Sequence, residues 1–261
     1  MTTIAPVPSR SPLPQALAGG TVVIVGGSSG IGLAAGTMLG TLGARVILVG
    51  RDPGRLDAAA DRVRAAGAAP DSVLGLSADG GDEDALAQVF DKAGAVDHVL
   101  VTAGEMPGVA PVDELSRDVV RSGFDTRVWG ALAAARLAAG RMSPGGSITL
   151  SSGAYLPRPV PNLSGAMAVI GAVEGMTRAL AVEFGPRRLR VNTVRYGVVD
   201  TPLARGAMGL DSDEAVAAAG AGSLLGRFGT PEEAASAALF LMANNYVTGQ
   251  VLTIDGGYTL G

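Results

Sequence analysis

Short apolar runs recur along this chain at strand length, separated by longer stretches with helical periodicity, and that alternation restricts the fold more than any single residue. The runs fall at 21–26 (TVVIVG), 45–50, 72–77, 97–102, 146–151, 189–195 and 250–254. The helical stretches lie near 30–43, 53–66, 82–93, 113–140, 163–185 and 231–243. Strands that are apolar throughout, each followed by a helix, predict repeated βαβ units and a parallel sheet covered on both faces. Two helix starts carry their own punctuation: Asp82 precedes Glu83 and Asp84, and Thr230 precedes Pro231, Glu232 and Glu233. Each places a capping side chain before an acidic first turn.

At 261 residues, 48% of them hydrophobic, the chain suffices for one large core. Residues 1–20 hold four prolines and no apolar segment of membrane length, and are expected to form a flexible tail ahead of a single domain at 21–261. Residues 206–226 are small and aperiodic, which predicts a mobile segment; 203–226 suits a substrate lid. A net charge of -4 without a basic run gives no footprint for nucleic acid. The absence of cysteine removes thiolate metal sites, and the single His98, in an apolar strand, reads as a core imidazole, so no metal site is expected. The expected setting is cytoplasmic, with a small-molecule substrate and no membrane partner.

The first chemical motif is GGSSGIG at 26–32, between a strand and a helix. Gly26, Gly30 and Gly32, with Ser28, Ser29 and Ile31, would let backbone N–H groups and the helix terminus approach a pyrophosphate. At the end of the second strand, Gly50 takes the place where an acidic residue would hold a ribose 2'-hydroxyl, and Arg51 follows. A guanidinium there suits a 2'-phosphate, so the expected cofactor is NADP(H) rather than NAD(H).

With these residues on the page, the chain resembles a short-chain dehydrogenase/reductase over about residues 21–258. The resemblance rests on the glycine turn, Asp79 near the adenine position, Ala103 and Gly104 ending a strand, and Arg190-Val191-Asn192. It extends through Tyr196-Gly197 where Pro-Gly is usual, Thr201-Pro202 in the nicotinamide loop, Thr248-Gly249-Gln250 and Asp255-Gly256-Gly257. It implies a single-domain Rossmann fold, a doubly wound α/β sheet of seven parallel strands with helices on both faces. By analogy it also implies a homodimer or homotetramer built on the long helices, where Trp129 reads as a packing residue.

The family's usual chemistry uses a serine, a tyrosine, a lysine and an asparagine, and this chain keeps one of the four. Ser152 matches the serine, but Ala166 stands at the tyrosine position, Ile170 at the lysine position and Arg127 at the asparagine position. The single lysine, Lys92, precedes the fourth strand, and no tyrosine lies between Tyr155 and Tyr196, so a shift of register does not restore the motif. Tyr155 and Tyr196 become the candidate proton donors. Arg127 either stabilises an oxyanion or pairs with Asp125 or Glu174. Three readings stay open: an NADP(H)-dependent oxidoreductase for a small or polyketide-like carbonyl, enone or imine; a non-redox cyclase, isomerase or dehydratase; and an inactive cofactor-binding partner protein.

Overall fold

The computed structural model describes residues 15–104 and 108–261. Seven parallel strands form one sheet in the order β3-β2-β1-β4-β5-β6-β7. They are β1 (Thr21–Val25), β2 (Arg45–Gly50), β3 (Val73–Ser77), β4 (Val96–Val101), β5 (Met142–Gly153), β6 (Arg190–Tyr196) and β7 (Val251–Ile254). The helices are α1 (Gly30–Thr41), α2 (Pro53–Ala65), α3 (Glu83–Ala93), α4 (Arg117–Gly123), α5 (Gly130–Ala139), α6 (Ser164–Phe184), α7 (Pro202–Met208), α8 (Asp213–Gly220) and α9 (Pro231–Ala243).

Period-two alternation sorts the strand residues between two apolar cores. Val22 and Ile24 of β1 join residues of α1, α2 and α9 in one cluster. Val23 and Val25 join residues of α3, α5 and α6 in the other. Because both faces are covered, both sets of alternating positions must be apolar, which is why the strands read as unbroken hydrophobic runs. Alanine dominates the buried faces of α5 and α9, where short side chains let helix and sheet approach closely. The sheet order reverses beside β1, between β1 and β4, and a crevice at such a point outside the carboxyl ends of the strands is the usual ligand position in open α/β sheets.

The capping expectations hold in detail. Asp82 accepts a hydrogen bond from Ala85 N at 3.1 Å, and Thr230 and Glu233 form a reciprocal capping box. His98 is buried and its Nδ1 lies 2.8 Å from Ser147 Oγ, a satisfied core imidazole.

Three expectations need correction. The stretch 113–140 is not one helix: α4 begins after Ser116, whose hydroxyl caps Val119 N at 3.3 Å, and a π-helical turn, Phe124–Trp129, separates α4 from α5. The segment expected to be mobile, and read as aperiodic, holds regular structure in α7 and α8, each capped by a side chain, Thr201 onto Ala204 N and Ser212 onto Ala215 N. Local capping there replaces the apolar periodicity that the sequence lacks. The expected tail at 1–20 does not extend to its end, since residues 15–17 form a helical turn that buries Leu17 in the core; residues 1–14 lie outside the described set. Trp129, read as packing, stays about half exposed on the π turn. Helix α6 is long and apolar enough to cross a membrane, but half of that stretch is buried and it packs on the sheet through Val173, Leu180 and Ala181.

Candidate active site and cofactor cleft

The β1–α1 turn is built by close approach. At Gly32 a Cβ would lie 2.2 Å from Gly26 O, and at Gly26, which has φ +97°, it would lie 2.6 Å from Ala103 N. No side chain fits at either position, so the backbone of the turn is drawn against the end of β4. Thr102 Oγ1 closes that contact by donating to Gly26 O at 3.2 Å. Helix α1 starts at Gly30 after Ser29, with no side-chain cap and no acidic residue in its first turn. Its first N–H groups therefore lack the local acceptors found on α2, α3 and α9. A Cβ at Gly30 would touch Thr201 Cγ2 at 3.1 Å, so the loop carrying Thr201 sits over the glycine turn. This bare cradle, with a helix terminus at its floor, fits the pyrophosphate of a dinucleotide.

The remaining cofactor candidates line the same edge of the sheet. Gly50 ends β2, and a Cβ there would lie 3.1 Å from Ser28 Oγ; an acidic side chain at this position would crowd the turn. Arg51 follows it and is exposed. Asp79 is exposed after β3, and its Oδ1 accepts from Gly81 N at 2.9 Å, which shapes the loop. Ala103 and Gly104 follow β4; Gly197 follows β6, where Asp255 Cα occupies the space a Cβ would need at 2.6 Å.

The serine end of the site has an arrangement that sequence reasoning missed. Ser152, near the end of β5, is buried, and its hydroxyl donates to Glu174 Oε1 at 2.6 Å. Glu174 lies on α6, one turn beyond Ile170, and is 4% exposed. Arg195, paired in register with Ser152 across β5 and β6, donates from Nε to Glu174 Oε1 at 2.8 Å and from Nη2 to Oε2 at 2.6 Å. Its Nη1 reaches Thr253 Oγ1 at 3.2 Å. Burial pushes the Glu174 carboxyl up, but the hydrogen bonds from Arg195 and Ser152 outweigh it and hold the group below the usual carboxylate range. The clues available in sequence were two charges where the pattern calls for apolar residues: a glutamate on the inner face of α6 and an arginine inside a strand.

Ala166 and Ile170, on the same helix, are 1% and 2% exposed. Both are packed into the interior, and neither offers a proton or a charge. Arg127 sits on the π turn with its side chain folded over Gly104, and Nη2 donates to Gly104 O at 2.8 Å. Its main-chain anchor is thus the end of β4. Of the acids weighed as its partners, Asp125 faces Arg121 and Glu174 is taken by Arg195. Burial lowers the Arg127 pKa, but a guanidinium remains a cation. The π turn re-aims this side chain where a regular helix would carry it elsewhere, a frequent use of such turns at functional sites.

The two tyrosines separate. Tyr155 follows Ser152 on the loop after β5, half-buried, with its ring edge-on to Tyr258 at 5.5 Å. Arg158 lies over the Tyr258 ring at 4.6 Å and donates to Tyr258 O, so the C-terminal turn clamps this loop. Burial first, and then Tyr258, raise the Tyr155 pKa. Tyr196 goes to the opposite side of the sheet, because Arg195 faces α6 and its neighbour must face away. It joins the cluster of Leu33 and Val199, and its hydroxyl is buried with no hydrogen-bond partner among the described residues. The structure therefore does not bring Tyr196 to Ser152, and burial raises its pKa strongly. A surface hollow of about 500 Å³ is bounded by α4 and Phe124 and includes none of these residues.

Seven parallel strands, a glycine cradle at the switch point and a serine at the end of β5 define a dinucleotide-binding oxidoreductase scaffold. A family profile described as enoyl-(acyl carrier protein) reductase matches residues 25–259. The chain is 33% identical over 258 residues to the short-chain dehydrogenase/reductase malC of Malbranchea aurantiaca, covering 94% of this chain and 96% of that protein. It is 32% identical over 253 residues to a cis-4-hydroxycyclohexanecarboxylate dehydrogenase of Sinomonas cyclohexanicum, covering 94% and 98%. The solved structure of the MalC reductase/Diels-Alderase superimposes with a TM-score of 0.87 at 31% identity, covering 95% of this chain and 99% of that one. The chain belongs to the short-chain dehydrogenase/reductase family, whose members bind nicotinamide cofactors.

Proposed function

We propose that this protein binds NADP(H) and reduces a small or polyketide-like substrate bearing a carbonyl, enone or imine, without the tyrosine–lysine pair. The observation that carries this reading is the cradle at Gly26, Gly30 and Gly32 with Gly50 and Arg51 beside it. The cofactor supplies hydride, and that chemistry is its own. The residues that would hold it are the glycine turn for the pyrophosphate, Arg51 for the 2'-phosphate, and Thr201 over the turn. Ser152 orients the substrate. Tyr155 is the candidate donor, and its raised pKa suits the reductive direction, since it stays protonated and does not serve as a base at neutral pH.

A second reading draws on two observations: the buried Ala166 and Ile170 offer neither a proton nor a charge, and a similar structure is described as both reductase and Diels-Alderase. Under it the cleft folds a substrate for cyclisation, and Arg127 polarises it. Titration with NADPH, followed by a substrate screen read by nicotinamide absorbance and by mass spectrometry, tests both. The first predicts NADPH oxidation matched to product. Product without NADPH oxidation supports the second, and failure to bind NADPH overturns the first.

A further inference from the structure

The hydroxyl of Ser152 has one proton, and it is already committed. Glu174 is ionised, so its carboxylate accepts only, and both of its oxygens are fixed by the Arg195 fork. The 2.6 Å contact therefore runs from Ser152 O–H to Glu174, a charge-assisted bond buried on both sides. Donating to a substrate carbonyl would require Ser152 to break that bond and leave a buried carboxylate lone pair unmatched. What Ser152 presents to a ligand is its own lone pairs.

A ketone is poorly served by such a site. Its oxygen needs a donor at Ser152, which has none to give, and Ala166 and Ile170 supply none either, so an alkoxide would depend wholly on Tyr155 on the loop after β5. A protonated imine reverses both requirements. Its N–H donates to Ser152 Oγ, and hydride addition to C=N–H⁺ breaks the C=N π bond, forms one C–H bond and leaves a neutral amine with no proton to find. We infer that Ser152 meets its substrate as a hydrogen-bond acceptor and selects a protonated imine over a ketone, with Glu174 and Arg195 as positioning residues. The inference rests on the reductase reading for its chemistry, but the polarity of Ser152 stands on geometry alone.

The test uses ligand-observed saturation-transfer NMR on the full chain, with and without NADPH. The probes are dihydroisoquinolinium, its N-methyl derivative and tetralone, which share a ring system. Binding of the N–H cation at least about tenfold tighter than tetralone is expected, the lower end for a hydrogen bond to a charged group. The N-methyl cation, which keeps the charge and lacks the donor, should lose that advantage, and so should the N–H cation on Ser152→Ala. The Ser152→Ala variant deletes one oxygen and leaves the Glu174–Arg195 pair in place, so its melting curve reports folding separately. Equal affinity for tetralone, equal affinity for the N-methyl cation, or binding of none of the three would overturn the inference. An NADPH titration on the same sample separates the two claims: lost cofactor binding with retained N–H preference sinks only the reductase reading.

Discussion

The Glu174–Arg195 pair offers the sharpest quantitative test, because its partners are buried unequally. The Glu174 side chain is 6% exposed and that of Arg195 is 21% exposed. Replacing one member of a buried pair costs about 3–5 kcal/mol, because the other charge is left uncompensated, whereas replacing both by apolar residues is often close to neutral. Arg195→Met strands the more buried charge and should cost about 4 kcal/mol; Glu174→Leu strands a guanidinium that reaches water and should cost about 2–3 kcal/mol. The double variant should cost only about 1–2 kcal/mol, the residue being the Ser152 hydroxyl deprived of its acceptor. At about 2–4 °C per kcal/mol for a chain near this size, Arg195→Met should melt about 8–16 °C lower. The pair also has a pH signature. Because the folded pKa of Glu174 is depressed, its contribution is present above the unfolded carboxylate pKa and is lost as pH falls through the folded value. Urea denaturation of the four proteins between neutral pH and acid would measure both effects. Strictly additive single costs, or an Arg195→Met penalty below about 1 kcal/mol, would refute the assignment of a buried, coupled pair.

Other consequences follow from the cradle and its neighbours. Gly32→Ala drives a methyl against Gly26 O, and should abolish NADPH binding measured by fluorescence titration while far-UV circular dichroism shows a folded chain. Arg51→Ala should weaken NADPH binding by about 10- to 100-fold, the range of a charged hydrogen bond, and leave NADH affinity unchanged; an equal effect on both would remove the 2'-phosphate assignment. Tyr155→Phe should lower turnover by about 100-fold or more for a carbonyl substrate at unchanged cofactor affinity, and an unchanged rate would exclude it as donor. Arg190 donates to Leu241 O and Met242 O at 2.6 Å each, and to Val247 O at 3.2 Å, capping the end of α9. Arg190→Met should therefore destabilise by about 2–4 kcal/mol in the same denaturation assay, with intact cofactor binding in the fraction that folds.

Much of this architecture is local and so was legible from residues alone. Apolar runs bounded by turns fix strands that are covered on both faces, and glycines at 26, 30 and 32 can be recognised as a close-approach turn because their spacing places a strand before it and a helix after it. Capping side chains such as Asp82 and Thr230 act within four residues, and their role survives into the fold unchanged. That positions 166 and 170 hold alanine and isoleucine is equally a fact of sequence.

Tertiary structure decided what pairs with what. Arg127 had two acidic neighbours by sequence logic, yet a π turn carries it onto Gly104, because helical phase sets direction and the wider π turn shifts that phase. Tyr196 lies one residue from Arg195, but a strand sends adjacent side chains to opposite faces, so one joins the apolar core and the other reaches Glu174. Ser152, Glu174 and Arg195 lie 22 and 21 residues apart, and only the docking of α6 across β5 and β6 makes them one charged network. Sequence determined the scaffold. The fold decided the direction in which the remaining serine's proton points, because that depends on a carboxylate brought in from another element.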